Sequence, residues 1–151
     1  MTNHGKIFED RLEKALLELN IPYVREGSKK HYGTRGSSKG KFDFKVNTNI
    51  AIECKSIDRA SNLRIPWPNT KSTAIKSHQL KALRKELDKG NTAGLLIEIR
   101  KLNLTYWLDI KKLDEIVCCY GMIAALHVEA LEQYAIRITS LEIFLQEELK
   151  L

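Results

Sequence analysis

Residues 41–56 read KFDFKVNTNIAIECKS, two alternating segments joined by Asn47-Thr48-Asn49. Alternate residues of a strand share a face, so the pattern predicts a β-hairpin of Lys41–Val46 and Ile50–Ser56. One face takes Phe42, Phe44 and Val46 with Ile50, Ile52 and Cys54. The other takes Lys41, Asp43 and Lys45 with Ala51, Glu53 and Lys55. Val46 opposite Ile50 across the turn sets Asp43 opposite Glu53. Opposed like charges are unfavourable in a sheet, and one carboxyl would tend to keep its proton. A divalent cation between them removes the repulsion. Mg²⁺ suits two carboxylates completed by water and phosphate oxygens, with Mn²⁺ as a substitute. Lys55, on the same face, is placed to neutralise a phosphoryl transition state or to orient the attacking water. The same spacing also fits a solvated polar face on which Lys41, Lys45 and Lys55 pair with the acids. Spacing alone does not separate the two readings.

Outward from the hairpin, residues 5–19 carry Phe8, Leu12, Ala15, Leu16 and Leu19 at helical spacing, ended by Asn20 and Pro22. A short extended segment, PYVRE, follows. Beyond the hairpin, residues 58–72 form an irregular connection with a Pro66-Trp67-Pro68 corner. A helix capped by Ser72 or Thr73 is expected to run to about Asp88, with Ile75, Leu80, Leu83 and Leu87 on its buried stripe. Gly94–Arg100 and Thr105–Ile110 read as strands and Lys112–Tyr120 as a helix. A short strand near Tyr134–Ile138 and a helix from Ser140 end the chain. Helix, strand, hairpin, helix, strand, strand predicts one α/β domain with helices packed on a mixed sheet.

The chain has 151 residues, 25 Lys+Arg and 19 Asp+Glu, a net charge of +6 that favours a polyanionic partner. Between Ser28 and Lys41 lie Lys29, Lys30, Arg35, Lys39 and Lys41 with no acid. Among glycines and serines this reads as a mobile loop contacting DNA phosphates. Charges interrupt every apolar run, so no membrane span is expected. MTNHGKIFEDR carries no apolar signal core, and three cysteines with Cys118 and Cys119 adjacent make a poor disulfide framework. A reducing cytoplasm is the expected location. The paired cysteines are read as helix packing and Cys54 as core.

FDFKV, the short turn and AIECK resemble the D–(x)n–E-x-K motif of the PD-(D/E)XK nuclease superfamily. The segment SHQLKALRKELDKGNTAGLLIEIR followed by YWLDIKKL is similar to RecU-type Holliday junction resolvases, over roughly residues 5–115. The resemblance implies a restriction-endonuclease-like fold, hydrolysis of four-way DNA junctions and a homodimer that makes paired cuts. It implies Asp43 and Glu53 as metal-binding carboxylates, Lys55 as catalytic lysine and Gln79 as a further metal-site residue. Where RecU-type proteins usually carry a threonine two residues before the aspartate, this chain has Lys41. Their long stalk is absent or replaced by the Ser28–Lys41 loop.

Gln79 falls in the stripe of Ile75, Leu83 and Leu87, where an amide needs polar partners. Lys76 shares that face and either reaches phosphate or snorkels. Glu9, beside the stripe of the first helix, is a weaker candidate ligand because the superfamily often places an acid there. It also reads as an ordinary surface acid near a helix start. Two alternatives remain: another nuclease of the same superfamily, of restriction or repair type, and a DNA-binding module whose carboxylates are structural.

Overall fold

The structure, a computed structural model, describes residues 2–26, 42–59, 75–120 and 127–151. The Ser28–Lys41 loop, with Lys29, Lys30, Arg35, Lys39 and Lys41, lies outside the described residues, as do Ser72, Thr73 and the Pro66-Trp67-Pro68 corner. Helix α1, His4–Glu18, begins where the Asn3 side chain accepts the Lys6 N–H at 3.1 Å, the expected role of an N-cap residue. It buries Phe8, Leu12, Ala15 and Leu16, one stripe at helical spacing. Asn20, at φ 55°, turns the chain out of the helix.

Strands β1 (Tyr23–Arg25), β2 (Phe44–Val46) and β3 (Ile50–Ile57) follow as an antiparallel meander. Helix α2, Ser77–Asp88, then carries the chain to β4, Thr92–Ile99, which pairs parallel with β3. Two parallel neighbours require such a crossover. Strand β5, Leu104–Asp109, returns antiparallel. After α3 (Ile110–Tyr120) and α4 (Val128–Tyr134), β6 (Ile136–Arg137) pairs antiparallel with β5. The described strands form one six-stranded mixed sheet in the order β1-β2-β3-β4-β5-β6. A short helix α5, Leu141–Ile143, continues as a π-helical turn, Phe144–Glu148. Its N-cap is Ser140, the residue from which a helix is predicted.

Helices cover both faces, as the mixed α/β reading predicts. On one, α1 and the C-terminal turn pack Phe8, Leu12, Leu16 and Phe144 against Phe44, Val46, Ile52, Leu96 and Trp107. On the other, α2, α3 and α4 pack Leu83, Leu113, Ile116 and Leu131 against Leu95, Ile97, Tyr106 and Leu108. Strand β4 is therefore apolar on both sides, which accounts for its unbroken GLLI run. Among the described residues, no helix is long and apolar enough to cross a membrane.

Four details depart from the sequence reading. Helix α2 starts at Ser77: Lys76 is extended, and Ile75 is buried ahead of the helix, in the same cluster as Leu80. That apolar pair flanking the N-cap is a hydrophobic staple, and from sequence Ile75 mimics one more turn of stripe. Phe42 packs with the α2-side cluster, opposite Phe44, because residues 42 and 43 bend away and β2 begins only at Phe44. Helix α4 was unanticipated. Cys118 and Cys119 are exposed, since the inward positions of α3 are Ile110, Leu113 and Ile116.

Gly94 fixes the approach of β5 to β4. A Cβ there would sit 2.5 Å from the Trp107 ring and 2.8 Å from the Leu108 carbonyl oxygen. Both neighbours are buried and one is backbone, so neither can yield cheaply. Gly94→Ala should cost about 1–3 kcal/mol, read as a lower urea midpoint at an unchanged slope. A variant as stable as the wild type would show that the two strands separate freely.

Candidate active site

The hairpin register is the expected one, with Val46 opposite Ile50 and Phe44 opposite Ile52. The ladder then stops one step short of Asp43 and Glu53. The Asp43 carbonyl still accepts the Glu26 N–H from the chain beyond β1, at 2.9 Å. Its carboxylate Oδ2 accepts the Cys54 N–H at 2.8 Å. A side chain thus replaces the main-chain partner that a longer β2 would have supplied, which brings the Asp43 charge beside Glu53.

Glu53 is 1 % exposed, which rules out the solvated-face reading for this residue. Its Oε1 accepts from Lys55 Nζ at 2.8 Å and from Gln79 Nε2 at 2.6 Å. Its Oε2 is buried without a partner among the described residues. An unsatisfied buried carboxylate oxygen is costly and demands an explanation. Gln79 arrives from the first turn of α2, where its Oε1 accepts the Lys76 N–H at 3.0 Å and Lys55 Nζ at 3.1 Å. One amide caps the helix and links the two charged residues of the E-x-K triplet. Lys45, expected on the same face, turns away to Glu86 on α2.

Burial raises the pKa of Asp43 most, the Glu9 charge adds to it, and the Cys54 N–H, Lys55 and Arg25 pull it back, leaving about 6. Burial also dominates at Glu53, followed by the Asp43 charge; Lys55 opposes both and leaves about 7. Lys55 alone therefore does not neutralise the pair. A divalent cation with oxygen ligands fits this donor set, because the free Oε2 and the mutual repulsion both call for positive charge. Among the described residues no three acidic, histidine or cysteine side chains converge as a ligand group. Asp43 and Glu53 are what the chain would offer, and Mg²⁺ is commonly held by one or two carboxylates with water and phosphate completing the shell.

The sequence-derived residues divide clearly. Asp43, Glu53, Lys55 and Gln79 come together. Glu9 lies near enough to raise both carboxyls, but its Oε2 is held by Arg25 at 2.8 Å. Lys76 is exposed at the N-cap of α2. Sequence reasoning missed Arg25, which also binds Asp10 at 2.8 Å and Glu13 at 2.6 Å, and it missed the Cys54 main-chain donor. Neither leaves a periodic or motif signal.

The raised pair makes stability depend on pH. A buried acid with a higher pKa in the folded chain keeps a proton that the unfolded chain has lost. The pair therefore costs nothing below about pH 4, and stability falls as pH rises through about 6 and 7. Urea unfolding in chelator should show this decline, and Glu53→Gln should remove much of it. Adding Mg²⁺ at pH 8 should stabilise the wild type more than the variant. Parallel pH curves for the two proteins would mean that Glu53 titrates as an ordinary surface acid.

Compared with protein-family models and with curated proteins, the chain matches none.

Proposed function

We propose that this chain is a metal-dependent DNA endonuclease that hydrolyses phosphodiesters in branched DNA, a four-way junction being the favoured substrate. The observation that carries the proposal is the buried Glu53 carboxylate, with one oxygen unpartnered, beside Asp43 and bound to Lys55. A purely structural glutamate at this depth would have both oxygens satisfied. The order helix, three strands, helix, strand, with α2 crossing between parallel β3 and β4, agrees with the core implied by the PD-(D/E)XK resemblance and supports the reading.

Each residue then has a task that its surroundings permit. Asp43 and Glu53 would hold the cation, Mg²⁺ or in its place Mn²⁺. When bound, the ion supplies Lewis acidity and an acidified water. Gln79 fixes the Glu53 carboxylate and the Lys55 ammonium in one arrangement, so neither group must reorganise during reaction. The Lys55 ammonium, largely shielded from solvent, would stabilise negative charge developing on the phosphoryl oxygens. The basic side chains of 28–41 and Lys76 would hold the DNA backbone. Two symmetric cuts across a junction imply two copies of the site, hence a homodimer with two-fold symmetry.

A synthetic four-way junction should be cut in Mg²⁺ and left intact with chelator. Asp43→Asn and Glu53→Gln should each lower the rate by about 10²–10³-fold or more while keeping or tightening DNA binding, since each removes a charge that repels phosphate. Lys55→Ala should slow turnover and spare metal affinity. Equal cutting of a linear duplex would replace the junction reading with a restriction or repair nuclease. Binding without cleavage in any divalent metal would leave a DNA-binding module.

A further inference from the structure

Helix α2 touches the candidate site with Gln79 and carries a different chemistry on the adjoining face. His78, Lys81, Lys85 and Lys89, with Ala82 and Glu86 between them, line one concavity of about 240 Å³. All four basic side chains are exposed. The lysines recur every four residues, so they stand about 6 Å apart along the helix axis. Residues at that spacing share a face. Among the described residues that line the concavity Glu86 is the only acid, and it is buried and occupied: it accepts from Lys45, and from Asn91 Nδ2 at 2.8 Å. Lys89 reaches its other oxygen at 3.3 Å while staying 64 % exposed. Lys81 and Lys85 have no ion pair among the described residues. Asp88 is exposed and borders the row, three residues beyond Lys85, while Arg84, four residues before it, is bound to Asp114. The floor is therefore neutralised from within the fold, and the rim remains positive.

Lys81 and Lys85, four residues apart and without an ion pair among the described residues, would repel one another if no anion came to them, and Lys89 extends the row although it also reaches Glu86. Their alignment matches a ligand with evenly spaced negative charges. The row adjoins, through Gln79 and Glu86, the face of α2 that meets Glu53 and Lys45.

We propose that this face of α2 is a phosphate-binding track, on which a strand of the DNA substrate runs on from the scissile phosphate with Lys81, Lys85 and Lys89 as its contacts. The proposal rests on the nuclease reading for its substrate, while its own evidence is the charge arrangement on α2.

The test is binding by the full chain in chelator, followed by fluorescence anisotropy with a labelled four-way junction over about 50 to 300 mM salt. The triple variant Lys81→Ala, Lys85→Ala, Lys89→Ala should lose about tenfold or more in affinity near 0.1 M salt. Its slope of log K against log salt should be shallower by up to about 2.7, or 0.9 per lost contact. The triple Lys→Arg variant should keep both values. If the triple alanine variant loses helical circular dichroism, the three single variants carry the test, each with a slope shallower by about 0.9. Wild-type affinity and slope in the folded alanine variants would overturn the track. So would a wild-type chain that binds phosphatidylserine vesicles but no DNA. Cleavage is read separately in Mg²⁺. A chain that binds with the expected slope changes but never cuts retains the track and loses the nuclease reading. One that cuts junctions with an unchanged slope retains the nuclease reading and loses the track.

Discussion

Desolvating the Glu53 carboxylate is the constraint around which the rest of the molecule is arranged. Strand β3 lies inside the sheet, between β2 and β4, with helices on both faces. A charge at such a position loses its water, and burial at this depth costs several kcal/mol unless partners replace the solvent. The fold supplies two partners to one oxygen and none to the other. Evolution toward stability alone would favour an apolar residue here, as at the neighbouring Ile52 and Ala51. A carboxylate kept in this state makes sense where an external positive charge completes it, the arrangement the nuclease proposal requires.

The backbone devices that hold the site are local and inexpensive. Starting β2 only at Phe44 leaves the Cys54 N–H available, and the Asp43 carboxylate takes it. The parallel pairing of β3 with β4 obliges a crossover, and α2 is that crossover. Its first turn stands over β3, where one side chain can cap the helix and reach Glu53 together. The Ile75 and Leu80 contact fixes the angle of entry. The same helix then lays its exposed basic row along the adjoining face, so one rigid element sets both the geometry around Glu53 and the proposed direction of the bound strand.

Much of this was legible because one-sided burial stamps a period on the chain. The hairpin register, α1, β4 and β5 all followed from alternation or helical spacing; the apolar stripe showed only that Gln79 needs polar partners, and its place beside Glu53 was what the resemblance implied. The misses share a cause: they depend on partners distant in sequence. Alternation already runs through Phe42 and Asp43, so the pattern cannot show that β2 begins only at Phe44 or that Phe42 crosses to the other face. Ile75 keeps a spacing close to that of the α2 stripe although it precedes the helix. Glu86 occupies a buried position only because Lys45 and Asn91 meet it there. Helix α4 buries just Ala130 and Leu131, too few apolar positions to mark a period.

Arg25 connects the electrostatics of the site to the packing of α1. It is 14 % exposed, lies over the Phe44 ring, and gathers Glu9, Asp10 and Glu13 from one face of the helix. Those three acids, at i, i+1 and i+4, would repel each other and add to the negative potential at Asp43 and Glu53. Concentrating them on one guanidinium turns that liability into a clamp between α1 and the β1–β2 edge, which Tyr23 reinforces by donating to Glu13 at 2.7 Å. The compensation is incomplete: Glu9 still raises both site carboxyls, and Arg25 lowers Asp43 more weakly than Glu9 raises it. Burial remains the largest cause of both raised pKa values, so the charged pair is penalised by lost hydration first and by Glu9 second, and a cation bound between the two carboxylates would offset both.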